Sequence, residues 1–230
     1  MEPALTNIGI VLPAPGYLAA VRSLTRQYGT LLINDETHTF SAGPGGCTQA
    51  WGLSPDMVTI GKAIAGGIPA GAYGLSEDLS ERILGDSTAD IVDTGGVGGT
   101  LAGNALSVAA MRATLEGVLT DEAFGGMVDV ADYYTAGVRA VLSSRSVPWH
   151  ITQLGARAEY RFCPSPPLDG GSSHAAADAE LDEYLHLYTV NRGVLMTPFH
   201  NMALMCPATT KADVDAHTAV FASAVDELAG

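Results

Sequence analysis

Residues 30–36, Thr-Leu-Leu-Ile-Asn-Asp-Glu, constrain the fold more than any other stretch. Thr30 to Ile33 is a short, continuously apolar run, and Asn34, Asp35 and Glu36 end it abruptly. A strand without polar alternation is a strand covered on both faces, as in a parallel sheet flanked by helices. Its neighbours fit that reading. Pro13 to Tyr28 carries Leu18, Val21 and Leu24 at helical spacing, with Gly29 as a stop. Met57 to Ile60 reads as a second strand, Ala70 to Gly74 as a third, and Ser76 to Leu84 as a short helix with Glu77 and Asp78 in its first turn. The first half is therefore an α/β unit with a parallel-rich sheet.

The following segments change character. Thr94 to Gly103 is a glycine-rich loop, and Asn104 is placed to cap a helix carrying the stripe Val108, Met111, Leu115 and Val118, read as core. Asp121 to Ser143 is helical. Within Trp149 to Cys163 a strand alternates Ala158, Tyr160 and Phe162 with Arg157, Glu159 and Arg161; the charged residues read as a solvated face, with a bidentate site for a substrate carboxylate on Arg157 and Arg161 as the alternative. A Pro/Gly loop over Pro164 to Ser173 is followed by a helix from Ala175 to Asn191, with Leu181, Tyr184, Leu185 and Tyr188 on one face. Val194 to Thr197 reads as a strand and Ala212 to Leu228 as a closing helix. Helices mixed with a few strands predict a small α+β domain over 120–230, after an α/β domain over 1–119.

Composition removes several functions. The 230 residues carry a formal net charge of −14, which repels a phosphate backbone and argues against nucleic-acid binding. No apolar run reaches the ~18 residues of a membrane span, and the first residues lack the pattern of a signal peptide. Cys47, Cys163 and Cys206 are an odd number without a CxxC pair, which argues against a zinc site and predicts a reducing, cytoplasmic setting. Each is read as a small buried residue.

The chain has two lysines, Lys62 and Lys211. Lys62 stands in "TIGKAIAGG", among apolar residues and glycines, 27 residues after Asp35. If the two strands are parallel neighbours, Asp35 and Lys62 leave the sheet at the same rim, where open α/β sheets bind ligands. Taken alone, Asp35 is more often a turn or cap residue. A P-loop is excluded, because Ala63 follows the lysine and Asp56 stands where the first glycine belongs. A dinucleotide fingerprint fails too: Gly96-Val97-Gly98 begins one, but Leu101 fills the third glycine position. A desolvated lysine amine is a better nucleophile, and Schiff-base formation with an aldehyde requires one. A pyridine cofactor also needs a carboxylate to keep its ring nitrogen protonated. Asp35 with Lys62 meets both requirements of a pyridoxal 5'-phosphate site.

"LLINDETHTF", "TIGKAIAGGIPAGAYG" and "GGTLAGNALSVAAMRATL" together resemble the class III aminotransferases, fold-type I pyridoxal-phosphate enzymes, and within them the group around glutamate-1-semialdehyde aminomutase. The resemblance implies the aspartate aminotransferase-like fold and amino-group transfer between an amino acid or amine and an oxo acid or aldehyde. It implies that Asp35 contacts the pyridine nitrogen. Lys62 would hold the cofactor as a Schiff base and then shuttle a proton. Thr100 would donate to a cofactor phosphate bound in a partner subunit, so a homodimer is implied. Phe40 departs from the family pattern, which has glycine there. His38 is open to two readings: a cofactor-site residue, or a core histidine bonded to a backbone carbonyl, the latter slightly favoured. In "TPFHNMALM" His200 falls where aminomutase relatives carry a carboxylate, which favours plain transamination over the aminomutase reaction. An aminomutase, racemase or decarboxylase, or an inert interaction module, are the rival readings. Family members carry roughly as much chain again ahead of this point. The resemblance thus predicts an internal start or truncated frame, poor stability and weak or no cofactor binding for the chain alone.

Overall fold

The computed structural model describes residues 1–85, 99–197 and 200–229. Helix α1 spans Tyr17–Gln27. It starts later than the periodicity suggests. Pro15 biases Ala14 away from helix, and Gly16 turns the chain with φ 82° before the first helical residue. Strand β1, Ile33–Asp35, pairs in parallel with β2, Met57–Ile60, in the register Ile33–Met57, Asn34–Val58, Asp35–Thr59. The ladder begins at Ile33 and not at Thr30 because the preceding residues are already committed. Thr30 N donates to Thr25 O, and Leu32 N donates to Asp56 Oδ2 at 2.7 Å. The same carboxylate takes two bonds from the Arg22 guanidinium, at 2.6 and 2.9 Å, which ties α1 to the start of β2.

Strand β3, Ala72–Leu75, pairs antiparallel to β2. The parallel-rich sheet expected from the sequence is thus a mixed three-stranded sheet, ordered β1-β2-β3. Residues 61–71 are too few for a parallel crossover, which needs a dozen or more. Covering on both faces is also absent among the described residues, since Leu31 and Ile33 are exposed. Helix α2 spans Gly46–Ala50, and α3 spans Glu77–Leu84 behind a Ser76 cap. Helix α4, Ala105–Gly117, is capped by Asn104 Oδ1, which accepts from Ser107 N at 2.9 Å. Its expected core stripe is corrected. Val108, Leu115 and Val118 are exposed, and only Met111 packs on the main core.

That core sits between α5, Asp121–Ser144, the closing helix α8, Lys211–Ala229, and a second sheet. Helix α5 presents Phe124, Met127, Ala131, Tyr134, Val138 and Val141 along one buried stripe. Phe221 of α8 packs on Tyr160, ring centroids 5.0 Å apart. The second sheet is antiparallel, with β4 His150–Leu154, β5 Arg157–Arg161 and β6 Met202–Leu204 in that order. No strand forms over the described residues 194–197, where one was expected. Val194 N instead closes the end of helix α7, Ala179–Val190, onto Thr189 O.

Strand β5 is buried on both faces, so the solvated charged face expected for Arg157, Glu159 and Arg161 is overturned. Its polar side is roofed by the N-terminal segment and by helix α6, Gly170–Ala175, which forms within the expected loop. Arg157 Nη2 donates to Thr6 O, and Arg161 Nη2 donates to Ser173 O at 2.6 Å. Backbone carbonyls thus each take one N–H of guanidinium groups that sequence patterning assigns to water, while Nε of both arginines is buried with no hydrogen-bond partner among the described residues.

The two sheets meet at the β4–β5 turn. Ala156 N donates to Ser41 O at 2.8 Å. Gly155 has φ 57°, and a Cβ there would stand 2.2 Å from Ser41 O, so only glycine fits. Among the described residues no helix is long and apolar enough to cross a membrane.

Candidate active site

Because β1 and β2 are parallel and in register, Asp35 and Thr59 leave the sheet side by side, and Lys62 follows three residues later. The chain then enters a short 3-10 turn, Lys62–Ala65, which buries Ile64 and Ala65 and leaves Lys62 exposed. The desolvated lysine expected from the apolar flanks is therefore corrected: the flanks face the core, and the amine faces the open side. Lys62 itself adopts φ 52°, a left-handed conformation that costs a non-glycine residue roughly 1–2 kcal/mol.

The amine stands at a cavity of about 540 Å3 between the loop after β1, Lys62, α5, Arg157 of β5 and the segment around β6. The lining is mostly apolar, Phe124 and Met127 among it, and its polar points include Thr37, His38, Arg157 and His200. This size and mixture suit a small organic ligand. Asp35 and Thr100 do not line it. Asp35 sits at the neighbouring strand end, where Thr37 N donates to its Oδ1 at 3.0 Å. Hydrogen bonds from Thr37, with a further one from Thr59, hold its carboxyl below the usual range, against the effect of burial. Thr100 is exposed in the turn before Asn104, while residues 94–98 of the glycine-rich loop, with Gly96-Val97-Gly98, lie outside the described residues.

His38 is not bonded to a backbone carbonyl. Its Nδ1 lies 3.0 Å from Thr6 Oγ1, and its Nε2 is hydrogen-bonded to Lys62 Nζ. Burial, then the positive charges of Lys62 and Arg157, push the imidazole below its ordinary range. Glu36 has a structural task. Its buried carboxylate accepts from Cys47 N at 2.9 Å and Thr48 N at 2.6 Å, and from the Thr39 hydroxyl, so it gathers the loop that carries His38. Gly46 makes room for it: a Cβ there would stand 2.4 Å from Glu36 Oε2.

Sequence reasoning missed one cluster. Glu159 is fully buried, with Arg157 Nη2 at 3.6 Å and His200 Nδ1 at 3.4 Å. Alternation assigned Arg157 to solvent, and no signal in the sequence shows that β5 is the central strand of its sheet. Pro198 and Phe199 of the "TPFHNMALM" segment lie outside the described residues. The three cysteines are free: Cys47 is buried as expected, Cys163 is half-buried and Cys206 is exposed in a turn closed by Thr209 N onto its carbonyl.

Comparison with known proteins identifies the family and the fold. The family model for aminotransferase class-III matches residues 1–225. A glutamate-1-semialdehyde 2,1-aminomutase of Thermomicrobium roseum is 34% identical over 199 residues, 86% of this chain and 45% of that protein. Two crystal structures of a glutamate-1-semialdehyde-aminomutase from Pseudomonas aeruginosa PAO1, one in complex with PMP, superpose with TM-scores of 0.93 and 0.92 at 47% and 48% identity. Each likeness covers 99% of this chain and 51% of that one. A beta-phenylalanine aminotransferase from Variovorax paradoxus gives a TM-score of 0.87 at 27% identity, again over 99% and 51%. The chain spans about half the length of the relatives it matches. With the family model matched almost end to end and a fold shared with these proteins, the chain belongs to the aminotransferase class-III family.

Proposed function

We propose that this chain carries the lysine-bearing part of a pyridoxal 5'-phosphate-dependent aminotransferase, acting on an amino acid or amine and an oxo acid or aldehyde. The observation that carries the reading is Lys62, its amine at the mouth of a mostly apolar cavity of about 540 Å3, with an ionised Asp35 at the adjoining strand end. These residues fit the cofactor: an accessible amine for its aldehyde and a carboxylate for its pyridinium. When bound, the cofactor supplies an electron sink for a substrate carbanion. Lys62 would hold the aldehyde and, once released by the incoming amine, move a proton at its Nζ. Asp35 would keep the ring nitrogen protonated, which its own low proton affinity allows. Thr100, exposed and preceding a helix N-terminus, would donate to a phosphate across a homodimer interface. His38 would contact the cofactor side of the cavity. The segments 1–119 and 120–230 would act as separate domains, and a soluble cytoplasmic setting follows from the same reading.

The relatives named aminomutase favour a second reading, in which the amino group moves within one substrate. His200 beside the buried Glu159 favours plain transfer, because the cavity-facing group is an imidazole at the position where the resemblance gives aminomutase relatives a carboxylate. Titration with pyridoxal 5'-phosphate, in an excess large enough for the weak binding the resemblance predicts of this chain alone, tests the central reading. A cofactor absorbance change is expected for the wild-type chain and none for Lys62→Ala. Identical spectra for the two would overturn it. Product analysis after adding amino donors separates an oxo product from an isomerised amine.

A further inference from the structure

The Lys62 amine is the end of a hydrogen-bonded chain that begins near the N-terminus. Thr6 Oγ1 donates to Glu2 Oε2 at 2.7 Å, and Thr6 is fully buried. Glu2 Oε2 is the acceptor, so the single hydroxyl proton of Thr6 is committed to it. The Thr6 oxygen, 3.0 Å from His38 Nδ1, is then left to accept, and His38 must carry its proton on Nδ1. Its Nε2 is left as a bare acceptor facing Lys62 Nζ, a group that donates. Lys62, His38 and Thr6 each donate one hydrogen bond to the next group in the series, and the direction is set by the carboxylate at the far end. We propose that His38, its tautomer fixed through Thr6 by Glu2, is the positioning residue that orients the Lys62 amine at the cavity.

The proposal rests on the reading of Lys62 as the residue that holds the cofactor aldehyde. A lysine side chain has several freely rotating bonds, and an exposed one visits many rotamers. One fixed acceptor selects among them. Together with the left-handed backbone at Lys62, it keeps Nζ at the cavity mouth. The imidazole suits this task only while neutral. Burial and the cations of Lys62 and Arg157 favour that form, while the carboxylates of Glu2 and Asp35 oppose them. His38 is therefore an acceptor that holds the amine, and the proton the amine must lose to attack an aldehyde goes to solvent, to which Lys62 is open.

The two lysines make the test internal to one molecule. The chain is incubated with pyridoxal 5'-phosphate, reduced with borohydride, and the adduct is partitioned between Lys62 and Lys211 by peptide mass. A strong preference for Lys62 is expected in the wild type. His38→Leu and Thr6→Val should each lower that preference about fivefold, the scale of one lost hydrogen bond. His38→Gln, which keeps an acceptor, and Thr6→Ser, which keeps the hydroxyl, should retain most of it. Without cofactor, 15N NMR of the imidazole should show the Nδ1-protonated tautomer in the wild type and a mixture in Thr6→Val. Wild-type preference that persists in His38→Leu, or an Nε2-protonated tautomer, overturns the positioning role alone. Equal or absent labelling of the two lysines in the wild type overturns the reading of Lys62 beneath it.

Discussion

Helices α4 and α5 follow one another in the chain and differ in what they bury. Helix α5 buries eight residues against α8 and the second sheet, whereas α4 buries only Ser107, with Leu115 43% exposed. Both carry apolar residues at helical spacing, so the spacing tells where a face is meant to be covered and not whether this chain covers it. The same holds for the two sheets. Strand β5 is buried on both sides although three of its five side chains are charged, and the apolar run ending in β1 is largely open. Coverage by neighbouring elements decides burial, and it is a property of the whole fold.

Truncation experiments put numbers on this contrast. Phe221→Ala, at a fully buried ring of the main core, should cost about 3–5 kcal/mol in urea unfolding. Leu115→Ala should stay within about 0.5 kcal/mol. Comparable losses at the two sites would erase the distinction.

Acid should act on the same side of the molecule. His217 of α8 lies buried between Tyr134 and Phe221, and neither ring nitrogen has a partner among the described residues. Burial pushes it down from 6.5 to about 4. Between those values the unfolded chain binds a proton that the folded chain does not, so stability is full above about pH 6.5 and falls toward pH 4. The loss is on the order of 3 kcal/mol. Hydrogen exchange should show it in α5 and α8, and His217→Phe should flatten the profile. An unchanged profile in that variant would assign the acid response elsewhere.

Smaller effects probe the joints. Gly155→Ala combines a positive φ with a clash on Ser41 O and should cost more than ~1 kcal/mol, read as a shift in urea midpoint. Asn104→Ala removes the cap of the open helix α4 and should cost about 1 kcal/mol, with increased exchange confined to its first turn.

The physics explains what was legible in the sequence. Met57 to Ile60 could be placed to the residue because an apolar run bounded by Asp56 and Gly61 has one way to sit in a sheet. Asp35 and Lys62 could be paired because parallel neighbours share a rim. The link from His38 through Thr6 to Glu2 could not be read, since Thr6 and His38 lie 32 positions apart and meet only through folding. Nor could the burial of Arg157 and Arg161, whose partners are backbone carbonyls of Thr6 and Ser173. The glycine stop was legible at Gly29 after α1, whereas the turn at Gly155, which splits the one expected strand into β4 and β5, was not.

The central claim is that the cavity between the sheets makes Lys62 the aldehyde-binding amine of this chain. Borohydride trapping of pyridoxal 5'-phosphate on the wild-type protein, followed by peptide mapping, tests it directly. The account predicts an adduct concentrated on Lys62 over Lys211. Equal modification of both lysines, or an adduct only on Lys211, would contradict it.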